Sequence, residues 1–348
     1  MSRPTVSTVT RRTVLGALAA ASGSAALTRL GVAQDASPAT GEWTYTDVLG
    51  TTVTLPEAPV RIVANIVTAA ALWDLGIEPV GVFDWTVSNY PDGDHIAWGN
   101  IPADKVVNVG NADGNIEPEM LLTLDPDIVL TQTFDPTDPT LTNGVLPELL
   151  EQIDAIAPVL VVTDMAPTDV LVDRLVQLGA SLGANLEAPE VVTAREAYDA
   201  KIAEFQQVAA EKADLTNLFA NFDTALIYVG GPKDVSELIW LSALGLNFAN
   251  ADSELANEFW EELSVEQALL YPADVIFSDV YSVLLTAEDL AAEPVFAAMP
   301  AVAAGQVGLW NRDFPVSYAG ATAFLETILK TLRTAEKVTD ASAATPSA

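Results

Sequence analysis

Residues 115–130 are Asn115-Ile116-Glu117-Pro118-Glu119-Met120-Leu121-Leu122-Thr123-Leu124-Asp125-Pro126-Asp127-Ile128-Val129-Leu130. The pattern predicts a helix over 116–124, capped by Asn115, because Asn accepts hydrogen bonds from the free amides of a first helical turn. An apolar run over 127–132 then predicts a buried strand. The stretch is therefore a helix that leads into a strand, which is the unit from which α/β folds are built.

The second half of the chain contains a related stretch. Ser264-Val265-Glu266 is predicted to begin a helix that leads to Asp274-Val275-Ile276, and Gln267 completes a capping box with Ser264. This weak internal repeat predicts two lobes related by duplication.

Short apolar runs alternate with helical patterns along the rest of the chain, which favours parallel sheets covered on both faces. Two longer helical patterns, 168–182 and 191–212, lie between the halves, and the second follows Pro189, a residue suited to a first helical turn. Tyr45–Leu55 is predicted to be a hairpin. The other predicted strands are 60–67, 79–83, 106–109, 159–163, 225–229, 237–241, 274–278 and 306–310, and the other predicted helices are 69–75, 146–156, 264–270 and 318–333.

Composition excludes several classes of function. The 348 residues include no Cys and one His, which removes disulfides, thiolate nucleophiles and most metal sites of the zinc type. The formal charge of -33 repels phosphate backbones and anionic membranes, so nucleic acid is not an expected partner. The simplest reading of this charge is solubility, in saline or acidic surroundings.

The N-terminal segment differs in composition from the rest of the chain. It has no acidic residue before Asp35 but contains four arginines, and Arg11-Arg12 precede a small, apolar run that resembles a twin-arginine export signal. Cleavage is expected after 31–33 or after 24–26. The chain has no Cys, so lipid attachment at the cleavage site is not expected.

These patterns divide the chain into six predicted segments. They are an export signal (1–33), a linker (34–44), an N-terminal α/β lobe (45–166), a connecting helix (167–188), a C-terminal α/β lobe (189–335) and a disordered tail (336–348).

Several stretches together resemble the class III periplasmic binding proteins, which carry ferric siderophores, cobalamin or haem to ABC importers. The resemblance spans about residues 45–333. It rests on the order and spacing of Tyr45–Pro56, Pro59–Val63, Leu75–Val82 and the two Glu-headed helices that end in Asp127-Ile128-Val129 and Asp274-Val275-Ile276. It implies an α/β fold of two lobes with mainly parallel sheets, joined by a long rigid helix, with the ligand cleft between the lobes.

Ligands of open α/β sheets bind beyond the carboxyl ends of the strands, so the loops that follow the predicted strands are the candidate site. These loops contain many aromatic residues, which suit a large and partly apolar chelate. For each one, packing in a core is the alternative. The candidate ligand-binding residues are Trp85, Tyr90, Trp98, Phe134, Tyr281, Trp310 and Arg312.

Two polar residues have alternative roles. Arg312 could anchor a carboxylate or an iron-bound oxygen, or it could be paired with an acid such as Asp313. His95 could ligate metal, but there is no second His and no Cys to complete a site. We therefore expect no resident metal and no intrinsic cofactor; the iron belongs to the transported chelate.

Glu117 and Glu266 follow Asn115 and Ser264 by two positions, so each is expected in a first helical turn. The family resemblance implies that these glutamates dock onto arginine pockets of the two permease subunits. The alternative is that they only stabilise their helices.

We expect an exported, monomeric, non-enzymatic protein, in a periplasm or at the cell exterior, that delivers a ferric siderophore to an ABC permease. A corrinoid or haem is the alternative ligand. A secreted hydrolase is the main rival, but the only His, His95, lies near the start of the chain, which argues against a Ser triad. A carboxylate-dependent hydrolase stays open on composition alone. A structural or adhesive surface protein is a second rival, but the repeats expected of such a protein are missing from this sequence.

Overall fold

The structure is a computed structural model that describes residues 41–138, 142–256, 258–279 and 285–339. The predicted export signal, including Arg11 and Arg12, lies outside the described residues.

The first lobe is built on a five-stranded sheet in the order β5-β4-β3-β6-β7, with every neighbouring pair parallel. Its central strands are buried on both faces, as parallel strands covered by helices must be. A separate antiparallel hairpin, β1 and β2, lies at the start of this lobe. The elements are β1 (Trp43–Thr46), β2 (Thr52–Leu55), β3 (Ile62–Asn65), α1 (Ile66–Trp73), β4 (Gly81–Phe83), α2 (Trp85–Asn89), β5 (Val107–Asn108), α3 (Pro118–Leu124), β6 (Ile128–Gln132), α4 (Leu150–Asp154) and β7 (Val159–Thr163).

Two helices follow, α5 (Thr168–Ser181) and α6 (Pro189–Glu211). The second lobe then has a mixed five-stranded sheet in the order β10-β9-β8-β11-β12. β8, β11 and β12 are parallel, whereas β9 is antiparallel to both of its neighbours. The elements are β8 (Asn217–Phe222), β9 (Leu226–Gly230), α7 (Ser236–Ala243), β10 (Trp260–Ser264), β11 (Val275–Asp279), α8 (Ala287–Ala292), α9 (Pro294–Ala297), α10 (Pro300–Ala303), β12 (Val307–Trp310) and α11 (Tyr318–Leu332).

These two α/β lobes confirm the predicted fold class. None of the helices within the described ranges is both long and apolar enough to cross a membrane.

The internal repeat has a structural counterpart at the start of two strands. Asp127 Oδ2 accepts hydrogen bonds from the backbone N–H groups of Val60 and Arg61, at 2.8 Å each, just before β3. Asp274 Oδ2 accepts from the N–H of Thr216 at 2.8 Å, just before β8. In each lobe an aspartate that immediately precedes one strand therefore fixes the start of the neighbouring strand.

Helix α5 packs against both lobes. Val172 belongs to the core of the second lobe, whereas Leu175 and Leu178 belong to the core of the first. Ser317 Oγ also donates a hydrogen bond of 2.6 Å to Asp74 Oδ2 across the lobes. The two lobes thus share a packed interface in addition to their chain connection.

In the second lobe the sequence prediction assigns two elements wrongly and misses two strands. Residues 237–241 were predicted as a strand but lie in α7, since a short apolar run buried on all sides has no readable periodicity. The helix predicted over 264–270 is a single 3-10 turn, Val265–Gln267. The strands β8 and β10 were not predicted.

The predicted disordered tail is also wrong in its first residues. The N–H of Glu336 donates to Gln306 Oε1 at 2.6 Å, and the N–H groups of Val338 and Thr339 donate to Asp274 Oδ1 at 2.8 and 2.7 Å. Residues 340–348 lie outside the described residues.

Asp274 is the most heavily bonded carboxylate in this region. Burial raises its pKa, but hydrogen bonds from Lys337 and from backbone N–H groups outweigh burial and hold the pKa well below the ordinary value. A carboxyl group whose pKa is depressed by folding stabilises the protein above the unfolded-state pKa, and the stabilisation is lost as pH falls.

We expect Asp274→Asn to lower the free energy of unfolding by about 2–3 kcal/mol at pH 7, because buried donors lose a charged acceptor. Denaturant unfolding from pH 7 to pH 3 should show the gap between variant and parent narrowing below about pH 4. Asp127→Asn is the matched change in the other lobe and should cost less, since Asp127 is only half-buried. A gap that stays constant down to pH 3 would contradict this account.

Candidate ligand-binding cleft

A cleft of about 210 Å³ lies between the two lobes, at the carboxyl ends of the parallel strands of the first lobe. Asn65 is the last residue of β3, Asp84 follows β4, and Thr133 and Asp164 follow β6 and β7. The opposite side is formed by the start of α7 and by the loop after β12. This is where open α/β sheets place their ligands, so the predicted position of the site is supported by the geometry.

Aromatic side chains line both sides of the cleft. Trp85 and Phe134 lie on the first lobe, and Phe259 lies on the second. Phe134 is 51% exposed, which is unusual for so large an apolar side chain and leaves its ring open to contact from the cleft. Trp85 is the first residue of α2, which Asp84 caps through a hydrogen bond of 3.0 Å from the N–H of Thr86.

The other predicted aromatic residues do not line the cleft. Tyr90 packs behind Trp85, with ring centroids 6.3 Å apart, and also contacts His95 at 4.8 Å. Trp98 is 3% exposed and Trp310 is fully buried, each inside a hydrophobic core. The prediction that Trp98 and Trp310 form part of the cleft wall is therefore wrong. Tyr281 lies outside the described residues.

Arg312 lines the cleft, and its charge is already engaged. Its Nε lies 3.0 Å from Oδ2 of Asp279, a buried residue at the end of β11. The guanidinium also lies over the rings of Phe259 and Trp260, 5.6 and 5.2 Å from their centroids. Arg312 is therefore held against the second lobe by an ion pair and by cation–π contacts.

A polar network lies below the first-lobe side of the cleft. Asn65 Nδ2 donates to Asp84 Oδ2 at 3.0 Å, and the N–H and hydroxyl of Thr86 donate to Asp84 Oδ1. Burial raises the pKa of Asp84 and these hydrogen bonds partly offset the rise. The network fixes one carboxylate at the inner surface of the cleft.

Glu237 is the second carboxylate held at this surface. It is the second residue of α7, and its Oε1 accepts a hydrogen bond of 3.1 Å from Trp310 Nε1. Burial raises the pKa of Glu237 to about 7, although Arg312 and the Trp310 hydrogen bond act against the rise. Trp310 thus supports a cleft residue from below.

His95 has a structural role at the start of a 3-10 turn. Its Nδ1 accepts a hydrogen bond of 3.2 Å from the N–H of Ala97, and its ring packs against Tyr90 and Trp85. No group of three or more potential metal ligands occurs among the residues that the structure describes.

Glu117 and Glu266 are both exposed, one on each lobe. Glu117 itself occupies the cap position of α3 and makes no side-chain cap hydrogen bond, so Asn115 does not cap the helix as predicted; the N–H of Asn115 donates to the side chain of Asn111. Glu266 lies in the 3-10 turn that Ser264 and Gln267 close as the predicted capping box. Hydrogen bonds from its own backbone N–H and from the Ser264 side chain lower the pKa of Glu266.

Comparison with known proteins places the chain. A family model described as periplasmic binding protein matches residues 62–313. The structure is similar to that of DesE, a ferric-siderophore receptor protein from Streptomyces coelicolor. The two are 33% identical, the match covers 85% of this chain and 100% of DesE, and the TM-score is 0.76. The chain belongs to the periplasmic binding protein family.

Two further solved structures show the fold at lower identity. The siderophore periplasmic binding protein from the fuscachelin gene cluster of Thermobifida fusca is 22% identical, with 80% of this chain and 98% of that chain covered and a TM-score of 0.60. The Fe3+-Desferal bound siderophore binding protein FhuD from Vibrio cholerae is 18% identical, with 79% and 98% covered and a TM-score of 0.57. A search of the curated proteins gives no match.

Membership in the periplasmic binding protein family fixes the general setting. Proteins of this family are extracytoplasmic, bind a substrate without converting it, and pass it to an ABC permease. The prediction of a binding protein rather than an enzyme is confirmed.

Several cleft residues of this periplasmic binding protein were not predicted from sequence. Asp84 follows β4 directly and Asp313 lies in the loop after β12, so the rule that selected Trp85 and Arg312 could have found them. Glu237 was hidden by its assignment to a strand, and Phe259 precedes a strand that was not predicted. The predicted ligand-binding residues are aromatic apart from Arg312, so they include none of the cleft carboxylates.

The different burial of two tryptophans gives a stability test. We expect Trp310→Ala to lower the free energy of unfolding by about 3–5 kcal/mol, because it removes a fully buried ring and the donor to Glu237. Trp85→Ala, at the half-buried cleft wall, should cost about 1 kcal/mol or less. Urea unfolding of both variants measures the difference, and equal losses would show that Trp85 is also a core residue.

Proposed function

We propose that this periplasmic binding protein captures a ferric siderophore between its two lobes and delivers it to an ABC permease. The observation that carries the proposal is the aromatic cleft at the strand ends, in a chain 33% identical to a ferric-siderophore receptor over 85% of its length. A siderophore wraps its own iron, so the protein needs to supply contact surface rather than metal ligands. The lining of Trp85, Phe134 and Phe259 fits that requirement.

The size of the cleft supports a partly exposed ligand. Pockets that bury most of a drug-sized molecule enclose about 300–1,000 Å³, and this cleft encloses about 210 Å³. A chelate would therefore contact the aromatic walls with one side and leave the other at the mouth. In that position the permease could take over the ligand without a large opening of the lobes.

Binding is tested with the purified mature protein and the quenching of its tryptophan fluorescence. We expect a ferric trihydroxamate to bind with a Kd in the micromolar range or below, and cobalamin and haem to bind at least tenfold more weakly. Trp85→Ala should weaken chelate binding by more than tenfold, because stacking on an aromatic wall supplies much of the contact. Tighter binding of cobalamin or haem than of the ferric trihydroxamate would make that compound the ligand in place of the siderophore. If the protein binds none of these compounds and no ferric catecholate, the proposal is wrong.

Delivery would use Glu117 and Glu266, one carboxylate on each lobe for each of two permease subunits. Both glutamates are exposed, and exposed apolar side chains follow both: Met120 and Leu122 in the first lobe, Leu269 and Leu270 in the second. Helix stabilisation alone gives no reason for apolar side chains to remain exposed beside each glutamate. Carboxylates that set register, with apolar side chains around them, are typical of a protein interface.

We expect Glu117→Ala with Glu266→Ala to abolish uptake of the ferric chelate by the cognate importer while ligand affinity stays within about twofold. The matched control is Glu119→Ala with Glu262→Ala, which removes two exposed carboxylates near the same positions and should leave uptake close to that of the parent. Retained uptake in the first variant, or an equal loss in both, would contradict specific docking.

Export through the twin-arginine route is part of the proposal. It is supported by Arg11-Arg12 ahead of the small, apolar run and by the absence of acidic residues before Asp35. We also propose that 167–188 connects the lobes, that the protein is a monomer, and that the mature chain carries no lipid.

Changing both Arg11 and Arg12 to Lys should strand the folded precursor in the cytoplasm, because the twin-arginine pathway depends on the paired guanidinium groups. Cell fractionation and immunoblotting measure this. Arg3→Lys with Arg29→Lys keeps the same charges and is the control that should export normally. Normal export of the Arg11 and Arg12 variant would indicate another route.

A further inference from the structure

Carboxylates outnumber cations along the cleft. Among the described residues that line it, four are acidic (Asp84, Asp164, Glu237 and Asp313) and one, Arg312, is cationic. Asp164 is paired with Arg174 at 2.9 Å, and Arg312 is paired with Asp279. With these two partners included, five carboxylates face two guanidinium groups, a formal charge of -3 when all are ionised.

The excess charge comes from both lobes and converges. Asp84 lies on the first lobe, while Glu237 and Asp313 lie on the second. Burial is the main cause of the raised pKa of Asp84 and of Glu237, and the negative charge of Asp313 adds to the rise in both, so Asp313 lies within electrostatic reach of each of these two groups. Like charges held in a buried site repel strongly, and a cation placed among them relieves the repulsion.

The residues beside the cleft lining have the same sign of charge on both lobes. Asp135 follows the exposed ring of Phe134 on the first lobe, and Asp234 lies just before α7 on the second. Burial raises the pKa of Asp234, and the charges of Glu258 and Asp135 add to the rise, so acids of the two lobes repel one another here. Lys233 is the neighbouring cation, and it is exposed.

We infer that the cleft selects ferric chelates that carry a net positive charge or a pendant ammonium group and discriminates against anionic ones. This inference rests on the proposed function and adds the charge of the ligand to it. The aromatic walls would hold the chelate body, which they can do for a chelate of any charge. The carboxylates of Asp84, Glu237 and Asp313 would then decide between chelates of similar shape.

The test uses three ferric chelates with the same linear trihydroxamate core and different groups at one end. One keeps a free amine and is cationic, one is N-acetylated and neutral, and one is N-succinylated and anionic. We expect the cationic chelate to bind at least tenfold more tightly than the anionic one in 20 mM salt, with the neutral one between them. Raising the salt to 500 mM should narrow the gap, because ions screen the part of the attraction that reaches solvent.

The result separates the inference from the proposed function. Equal affinities for the three chelates, or tightest binding of the anionic one, would overturn charge selection and leave siderophore binding intact. Tighter binding of an anionic ferric tricatecholate than of the cationic chelate would do the same. If no chelate binds, the proposed function fails and the inference falls with it.

A variant locates the effect in the cleft. Glu237→Gln with Asp313→Asn removes two of the convergent charges and should reduce the ratio of cationic to anionic affinity at least fivefold. Glu187→Gln with Glu196→Gln removes two exposed charges outside the cleft lining and should leave the ratio within about twofold. An equal reduction in both variants would assign the preference to overall charge and overturn a role for the cleft. The three-chelate comparison on the parent chain does not depend on how either variant folds.

Discussion

Helix α5 has to fill two hydrophobic cores at the same time, and the geometry of the cleft depends on how it does so. Val172 packs in the core of the second lobe, whereas Leu175 and Leu178 pack in the core of the first. Val316, in the loop after β12, also packs against both cores. A movement of one lobe against the other would have to expose part of these apolar contacts, which close packing opposes. The cleft therefore has walls whose separation is set by packing.

Other contacts between the lobes have the same effect. Gly99 has a φ of 52°, and a Cβ atom there would lie 2.8 Å from Cγ of Pro315, so the two segments approach as closely as glycine allows. The hydrogen bond from Ser317 to Asp74 ties the start of α11 to the end of α1. A ligand site between walls of this kind is largely formed before the ligand arrives. Such a site loses little free energy to reordering on binding.

The fold could be predicted from the sequence because the patterns that indicate strands and helices are local and recur along the chain. A short apolar run such as 128–132, preceded by a helix and bounded by turns, favours a buried strand, and the strand β7 was predicted with its observed ends. The aspartates of the repeat were also visible, although their bonds to the neighbouring strand were not. The prediction for residues 237–241 failed because Leu238, Trp240 and Leu241 are all buried, so the hydrophobic pattern shows neither the period of a strand nor that of a helix.

The position of the candidate site could be predicted from the sequence, but only some of its lining residues could. The rule that ligands bind beyond strand ends found Trp85, Phe134 and Arg312, which lie in the cleft. It could not show that Trp310 turns into the core and supports Glu237, since the side a residue faces at a strand end depends on register and twist. The partner of Arg312, Asp279, also lies on another strand, and such long-range pairs leave no trace in one sequence.

The overall charge and the charge of the cleft act over different distances. A formal charge of -33 draws cations toward the protein from every side, but at physiological ionic strength that field decays over about 8 Å. It can raise the rate of encounter with a cationic chelate or a basic permease surface, and it favours all cations equally. Groups such as Asp84 and Glu237 are buried, so salt screens them less and their effect depends on where a ligand places its own charge. Selection among ligands must therefore arise at the cleft wall, where the distance between charges is fixed by the same packing that holds the lobes together.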